Sequence, residues 1–103
     1  VCGLSLGGVV AIAMHAIAPD RCASLILADT FAVHPEGSAL YERSVAASHN
    51  LGMRGLAEAR VDALLAAPID PGVRAEVIET MSRIDPEAYA LGAAAVWLAD
   101  QCD

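Results

Sequence analysis

Between Leu6 and Ala18 the chain is apolar on every side of a helical wheel, with Val9, Val10, Ile12, Met14 and Ile17 spread around it. A helix greasy all round has to be buried, and packing between a sheet and a covering layer is the natural solution. Pro19-Asp20 stops it, because proline cannot donate a helix hydrogen bond and disfavours helical backbone in the residue before it. The flanks read as strands. Val1-Cys2 resembles the end of one and opens onto a glycine-rich turn, Gly3 to Gly8. Ala23 to Ala28 is a continuous apolar run of a length that suits a parallel strand covered on both faces. Strand, helix and strand within about 30 residues form a βαβ unit, which predicts an α/β fold class.

After residue 33 charged residues recur at helical spacing, and the remainder reads as helix. Ser38 to Asn50 carries Leu40, Tyr41, Val45 and Ala46 on one stripe, and Gly52 and Gly55 mark the entry to a second helix with Leu56, Val61, Leu64 and Leu65. Asp70-Pro71 and Asp85-Pro86 announce two more helix starts, since each aspartate can accept the orphan N–H groups of a first turn and each proline sits where no donor is required. The third helix is expected to bury Val73, Val77, Ile78, Met81 and Ile84, and the fourth to run from Pro86 to about Asp100 with Tyr89, Leu91, Val96, Trp97 and Leu98.

The informative motif is Gly3-Leu4-Ser5-Leu6-Gly7-Gly8, which fits the nucleophile-elbow pattern Gly-x-Ser-x-Gly with an apolar strand before it and a helix after it. A sharp strand-to-helix turn holds the central serine in a strained backbone shape so that its hydroxyl stands clear. Side chains two residues to either side would collide with the turn, which is the expected reason for Gly3 and Gly7. The helix start directs free N–H groups and partial positive charge at developing negative charge, and the Leu6 N–H is the expected oxyanion donor. Loss of one such donor in a comparable site costs about 2.7–4 kcal/mol of transition-state stabilisation. With 8 Gly and 6 Ser in 103 residues, the spacing arises by chance about 0.03–0.04 times per chain, so accident is a poor explanation. The competing reading is a glycine-rich turn that binds phosphate or merely packs, but no phosphate-cradling lysine lies near Ser5.

Composition excludes several classes. The chain is 56 % apolar and 18 % charged, too hydrophobic for a disordered segment. A net charge of −7, with six scattered arginines and no lysine, offers no basic stripe for nucleic acid. Phe31, Tyr41, Tyr89 and Trp97 are the only aromatic residues, too few for base-stacking platforms. Cys2, Cys22 and Cys102 form an odd set without disulfide or zinc spacing, so neither a disulfide scaffold nor a zinc site is expected, and a reducing, cytoplasmic compartment fits. No apolar stretch approaches the roughly 20 residues of a membrane span. The chain opens on Val1 inside an apolar segment, and it is expected to be an excerpt from a longer protein.

At Cys2–Gly8 the chain resembles the α/β-hydrolase superfamily and, more narrowly, is similar to the 3-oxoadipate enol-lactonase group. Supporting segments are Ser24–Thr30, Ile84–Tyr89, Ala93–Val96 and Ala99-Asp100. The resemblance implies a partial α/β-hydrolase core over residues 1–33, with strand, nucleophile elbow, helix and strand. A helical cap over 34–100 and the start of a return to the core at 101–103 follow from it. It also implies a serine hydrolase acting on a carboxylic ester or lactone through an acyl-enzyme, with Ser5 as nucleophile, a small-molecule substrate and no metal or organic cofactor. An acyltransferase, a cofactor-free perhydrolase and a non-catalytic interaction module are the alternatives. Trp97 stands where lactonase-like chains often carry arginine, and it is a candidate for lining the substrate pocket.

The triad is incomplete. Superfamily triads run serine, then acid, then histidine, yet His15, His34 and His49 all come early. His15 lies ten residues beyond Ser5 on the same helix, about 15 Å away along the axis, too far to take its proton. His34 and His49 read as loop and helix-surface residues. Asp29, at the exit of the second strand, is a candidate triad acid and otherwise reads as a loop-capping carboxylate. The resemblance implies that acid and histidine come from sequence beyond these residues, so the 103-residue chain alone is expected to be inactive. It is also expected to be marginally stable, because two strands leave one face of the first helix bare. Arg43, Arg54 and Arg60 could face a substrate carboxylate but read first as solvated helix surface. Met14, Met53 and Met81 read as packing, and Cys2 as an inert strand thiol.

Overall fold

A computed structural model describes residues 1–102, so residue 103 of the segment 101–103 lies outside the described residues. The order of elements is β1 (Cys2–Leu4), α1 (Leu6–Ile17), a single 3-10 turn (Pro19–Arg21), β2 (Ile26–Ala28), α2 (Gly37–Leu64), α3 (Pro71–Ser82) and α4 (Pro86–Trp97). The chain divides into two compact units: Val1–Glu42 together with Leu91–Asp103, and Arg43–Ala90. This division cuts across the boundary at 33/34 read from the sequence.

In the first unit β1 and β2 pair in parallel, with Cys2 opposite Ile26, Gly3 opposite Leu27 and Leu4 opposite Ala28. The α/β class, and the partial α/β-hydrolase core over residues 1–33, do not survive this geometry. The described residues are mostly helical, and their one sheet is a parallel pair with three residues in each strand. Only Ile26–Ala28 of the apolar run Ala23–Ala28 is strand. The physical reason is the lack of further partners: a parallel sheet owes its stability to several strands covered on both faces. Here Leu4 is 67 % and Ile26 65 % exposed.

The same shortage corrects the all-round burial expected of α1. Gly8, Val9 and Ala11 are buried, but Val10, Met14 and Ile17 are exposed, Ile17 by 85 %. The bare helix face expected of a two-stranded piece is present. At the other end of the chain, Val33 and Asp100 form an isolated antiparallel bridge, and the Gln101 N–H donates to Ala32 O at 3.0 Å. The Gln101 side-chain Nε2 donates to Val9 O of α1 at 3.1 Å, which ties residues 100–102 to the elbow unit. The fourth helix therefore stops at Trp97, short of the expected Asp100.

In the second unit the break expected at Gly52 is present inside α2. Gly52 has φ 69° and ψ 169°, so two helical stretches meet at one left-handed residue, a conformation glycine adopts without steric cost. The core comprises Ala57, Val61 and Ile78, with Leu65, Val77 and Met81 packed against it. Val73 and Ile84, expected on the same buried side of α3, are exposed. Asp70 caps α3 as its position implied: Oδ1 accepts from Gly72 N at 2.7 Å and Val73 N at 3.1 Å. Asp85 Oδ2 likewise accepts from Ala88 N at 3.0 Å at the start of α4.

Three ion pairs lie on this unit's surface: Arg54–Glu79 at 2.6 Å, Arg83–Glu79 at 3.1 Å and Arg74–Asp62 at 2.8 Å. The Arg54 and Arg83 hydrogen bonds hold the Glu79 carboxyl below its ordinary range, and that of Arg74 does the same for Asp62. A carboxyl with a lowered native pKa binds fewer protons folded than unfolded. Its stabilisation is present above the ordinary carboxylate pKa and is lost as pH falls through the lowered native value. Urea melts taken downward from about pH 5 should show falling stability, with a shallower slope in Glu79→Gln. An unchanged slope would show that the Glu79 pairs are fully screened.

Candidate functional site

The turn between β1 and α1 is built as the Gly-x-Ser-x-Gly spacing requires, with one reassignment. Ser5 has φ 53° and ψ −118°, one of two non-glycine residues with positive φ among the described residues, the other being Asp29 at φ 47°. Its N–H donates to Ala28 O at 3.0 Å, continuing the β1–β2 ladder by one bond. Its carbonyl accepts from Gly8 N at 2.9 Å and Val9 N at 3.3 Å, which launches α1 directly behind it. A β-carbon on Gly3 would overlap the Gly7 carbonyl and stand 2.6 Å from Gly8 N, so Gly3 is obligatory. Gly7 is not: a β-carbon there meets nothing within 4 Å. The second tight approach falls instead at Gly8, where a β-carbon would lie 2.6 Å from Thr30 Oγ1.

Ser5 is exposed and stands at the N-cap of α1, yet its side chain makes no capping hydrogen bond. Serine normally caps from extended backbone, accepting from the second or third amide of the helix. The left-handed backbone of Ser5 departs from that geometry, and the hydroxyl remains available. Among the described residues the Leu6 N–H has no hydrogen-bond acceptor, as befits the first amide of a helix. Hydroxyl and free amide therefore belong to adjacent residues at the positive end of α1.

Among the described residues no acid or base is hydrogen-bonded to Ser5 through its side chain. His15 is exposed in the last turn of α1. His34 is committed elsewhere: its Nδ1 accepts from Glu36 N at 3.1 Å, and its ring meets Phe31 and Trp97 edge-on at centroid distances of 5.1 and 5.5 Å. Trp97 stacks on Phe31 at 5.7 Å, with 19° between the ring planes. This half-buried cluster anchors the end of α4, and it is where the structure puts the candidate pocket residue Trp97. His49 is exposed on α2 in the second unit. Asp29 is exposed, with neither an ion pair nor a side-chain hydrogen bond to a histidine among the described residues. Arg54 is taken up by Glu79, while Arg43 and Arg60 are exposed.

Cys2, expected inside a covered strand, is exposed, as is Cys102, while Cys22 is half-buried; none is in a disulfide. A cleft of about 230 Å³ lies at the far end of α1, lined by Met14, Ile17, Ala18, Arg21 and Cys22. It is separated from Ser5 by the length of the helix and belongs to a different part of the unit. Among the described residues no group of three or more His, Cys, Asp or Glu side chains is arranged to hold a metal ion. No described helix is long and apolar enough to cross a membrane. Comparison with known protein families, curated proteins and solved structures finds no match to this chain.

Proposed function

We propose that Ser5 is the nucleophile of a serine hydrolase acting on a carboxylic ester or lactone, within a longer protein that supplies the base and acid. One observation carries the reading: a serine held at φ 53° in an exposed turn at a helix start, with its hydroxyl not spent on capping. Left-handed backbone in a non-glycine residue costs about 1–3 kcal/mol and persists where something is gained from it. The Gly3–Gly7 motif, similar to that of serine ester and lactone hydrolases, supports the same chemistry.

In this reading Ser5 Oγ attacks the substrate carbonyl carbon while its proton passes to the base. The carbonyl oxygen becomes an oxyanion and accepts a hydrogen bond from the Leu6 N–H. Collapse breaks the bond to the leaving oxygen, which takes the proton from the base and leaves an acyl-enzyme on Ser5. Water then attacks the acyl carbon by the same route in reverse, releasing the acid and restoring the hydroxyl. The residues present supply nucleophile and oxyanion donor, and no described residue supplies the proton acceptor.

A fluorophosphonate probe applied to the whole protein should modify the tryptic peptide containing Ser5, and modification elsewhere with Ser5 untouched would reject the assignment. The second reading, a non-catalytic interaction module, draws on there being, among the described residues, no histidine or acid hydrogen-bonded to the Ser5 side chain. It requires that the whole protein neither reacts with the probe nor hydrolyses p-nitrophenyl acetate. Addition of methanol or hydrogen peroxide as competing nucleophile, with product analysis, would distinguish an acyltransferase or perhydrolase from a simple hydrolase.

A further inference from the structure

We propose that Thr30 is a positioning residue that aims the oxyanion donor. The proposal rests on the assignment of Ser5 as nucleophile. Thr30 Oγ1 donates a hydrogen bond to Ser5 O at 2.8 Å. Ser5 C=O and Leu6 N–H belong to one peptide unit, planar and trans, so they point in opposite directions along a shared plane. A grip on the carbonyl oxygen therefore fixes the direction of the Leu6 N–H. A donor on the carbonyl also polarises the amide and makes its N–H a stronger donor.

The contact is built by three local features drawn from two stretches of the chain, the end of β2 and the start of α1. Ala28 O holds the Ser5 N–H at 3.0 Å, so the residues on either side of Asp29 grip both ends of Ser5. Asp29, at φ 47°, ends the extended course of β2 between those two grips. Gly8 leaves the space that the Thr30 side chain fills, since a β-carbon at position 8 would lie 2.6 Å from Oγ1. The strain of a left-handed serine and the net worth of one hydrogen bond are of the same order, so this bond offsets a substantial part of that strain.

The test compares Thr30→Val, Thr30→Ser and Ser5→Ala in the whole protein, with p-nitrophenyl acetate as substrate and phenylboronic acid as transition-state analogue. Thr30→Val keeps the shape and removes the donor. Its kcat should fall about 10–100-fold with KM little changed, because a misaimed oxyanion donor is felt in the transition state. Boronate affinity should fall in parallel, and Thr30→Ser should retain both. Wild-type kcat in Thr30→Val beside an inactive Ser5→Ala overturns the role of Thr30 and leaves the nucleophile standing. An active Ser5→Ala overturns the nucleophile itself. If Thr30→Val does not fold, Thr30→Ser still decides, because a loss of more than about tenfold with the hydroxyl retained would assign the effect to packing.

Discussion

Ser5→Ala in the whole protein is expected to lower kcat for ester hydrolysis by on the order of 10⁴–10⁶-fold while the fold persists. The alanine inherits the backbone of Ser5, φ 53° and ψ −118°, together with its strain, so stability should change little. Ser5→Gly separates the two properties. Glycine occupies that region freely, and relief of strain should outweigh the greater flexibility of the unfolded chain, for a net gain of about 1 kcal/mol. One site would then yield a variant both inactive and more stable than the parent. Urea melts beside p-nitrophenyl acetate kinetics measure both quantities. A Ser5→Gly protein less stable than wild type would mean that the left-handed serine is not strained, and the main support for its function would be lost.

The second large effect concerns the glycines of the turn, which are unequal. Gly3→Ala forces a methyl group into the Gly7 carbonyl and close to the Gly8 amide, both backbone atoms that cannot swing aside. A loss of about 2–4 kcal/mol is expected, larger than ordinary overpacking because no side chain can absorb it. Gly7→Ala meets open space inside the first turn of α1 and should gain about 0.5–1 kcal/mol from helix propensity. Thermal melts of the two variants should move in opposite directions. Equal destabilisation would restore the symmetric role that the bare Gly-x-Ser-x-Gly spacing implies for both glycines.

Those two glycines mark where sequence reading stops. The turn, the left-handed serine and the helix behind it follow from residues adjacent in the chain, and so do the caps at Asp70 and Asp85. Fold class did not follow. The βαβ pattern around α1 is genuine, but extending it to an α/β core assumed strands that the described residues lack, and the apolar run Ala23–Ala28 yields three strand residues. The Thr30–Ser5 bond spans 25 residues and depends on a corner at Asp29. No local pattern announces it, although a threonine two residues beyond an apolar run facing a Gly-Gly pair is the signal to look for. The capture of His34 by Phe31 and Trp97 is likewise tertiary, because Trp97 arrives from the far end of the chain.

Gly52 has a consequence for how this chain tolerates change. In an unbroken helix each inserted or deleted residue rotates everything beyond it by about 100°, so drift near the start would swing a buried stripe out of register. The joint at Gly52 resets the angular phase between the two stretches of α2. Met53, Leu56, Ala57 and Val61, all buried, take their orientation from the second stretch alone. A residue other than glycine at position 52 would have to hold φ 69° at a cost, so a substitution at this joint is the change that the Ala57–Val61 face against Ile78 tolerates least.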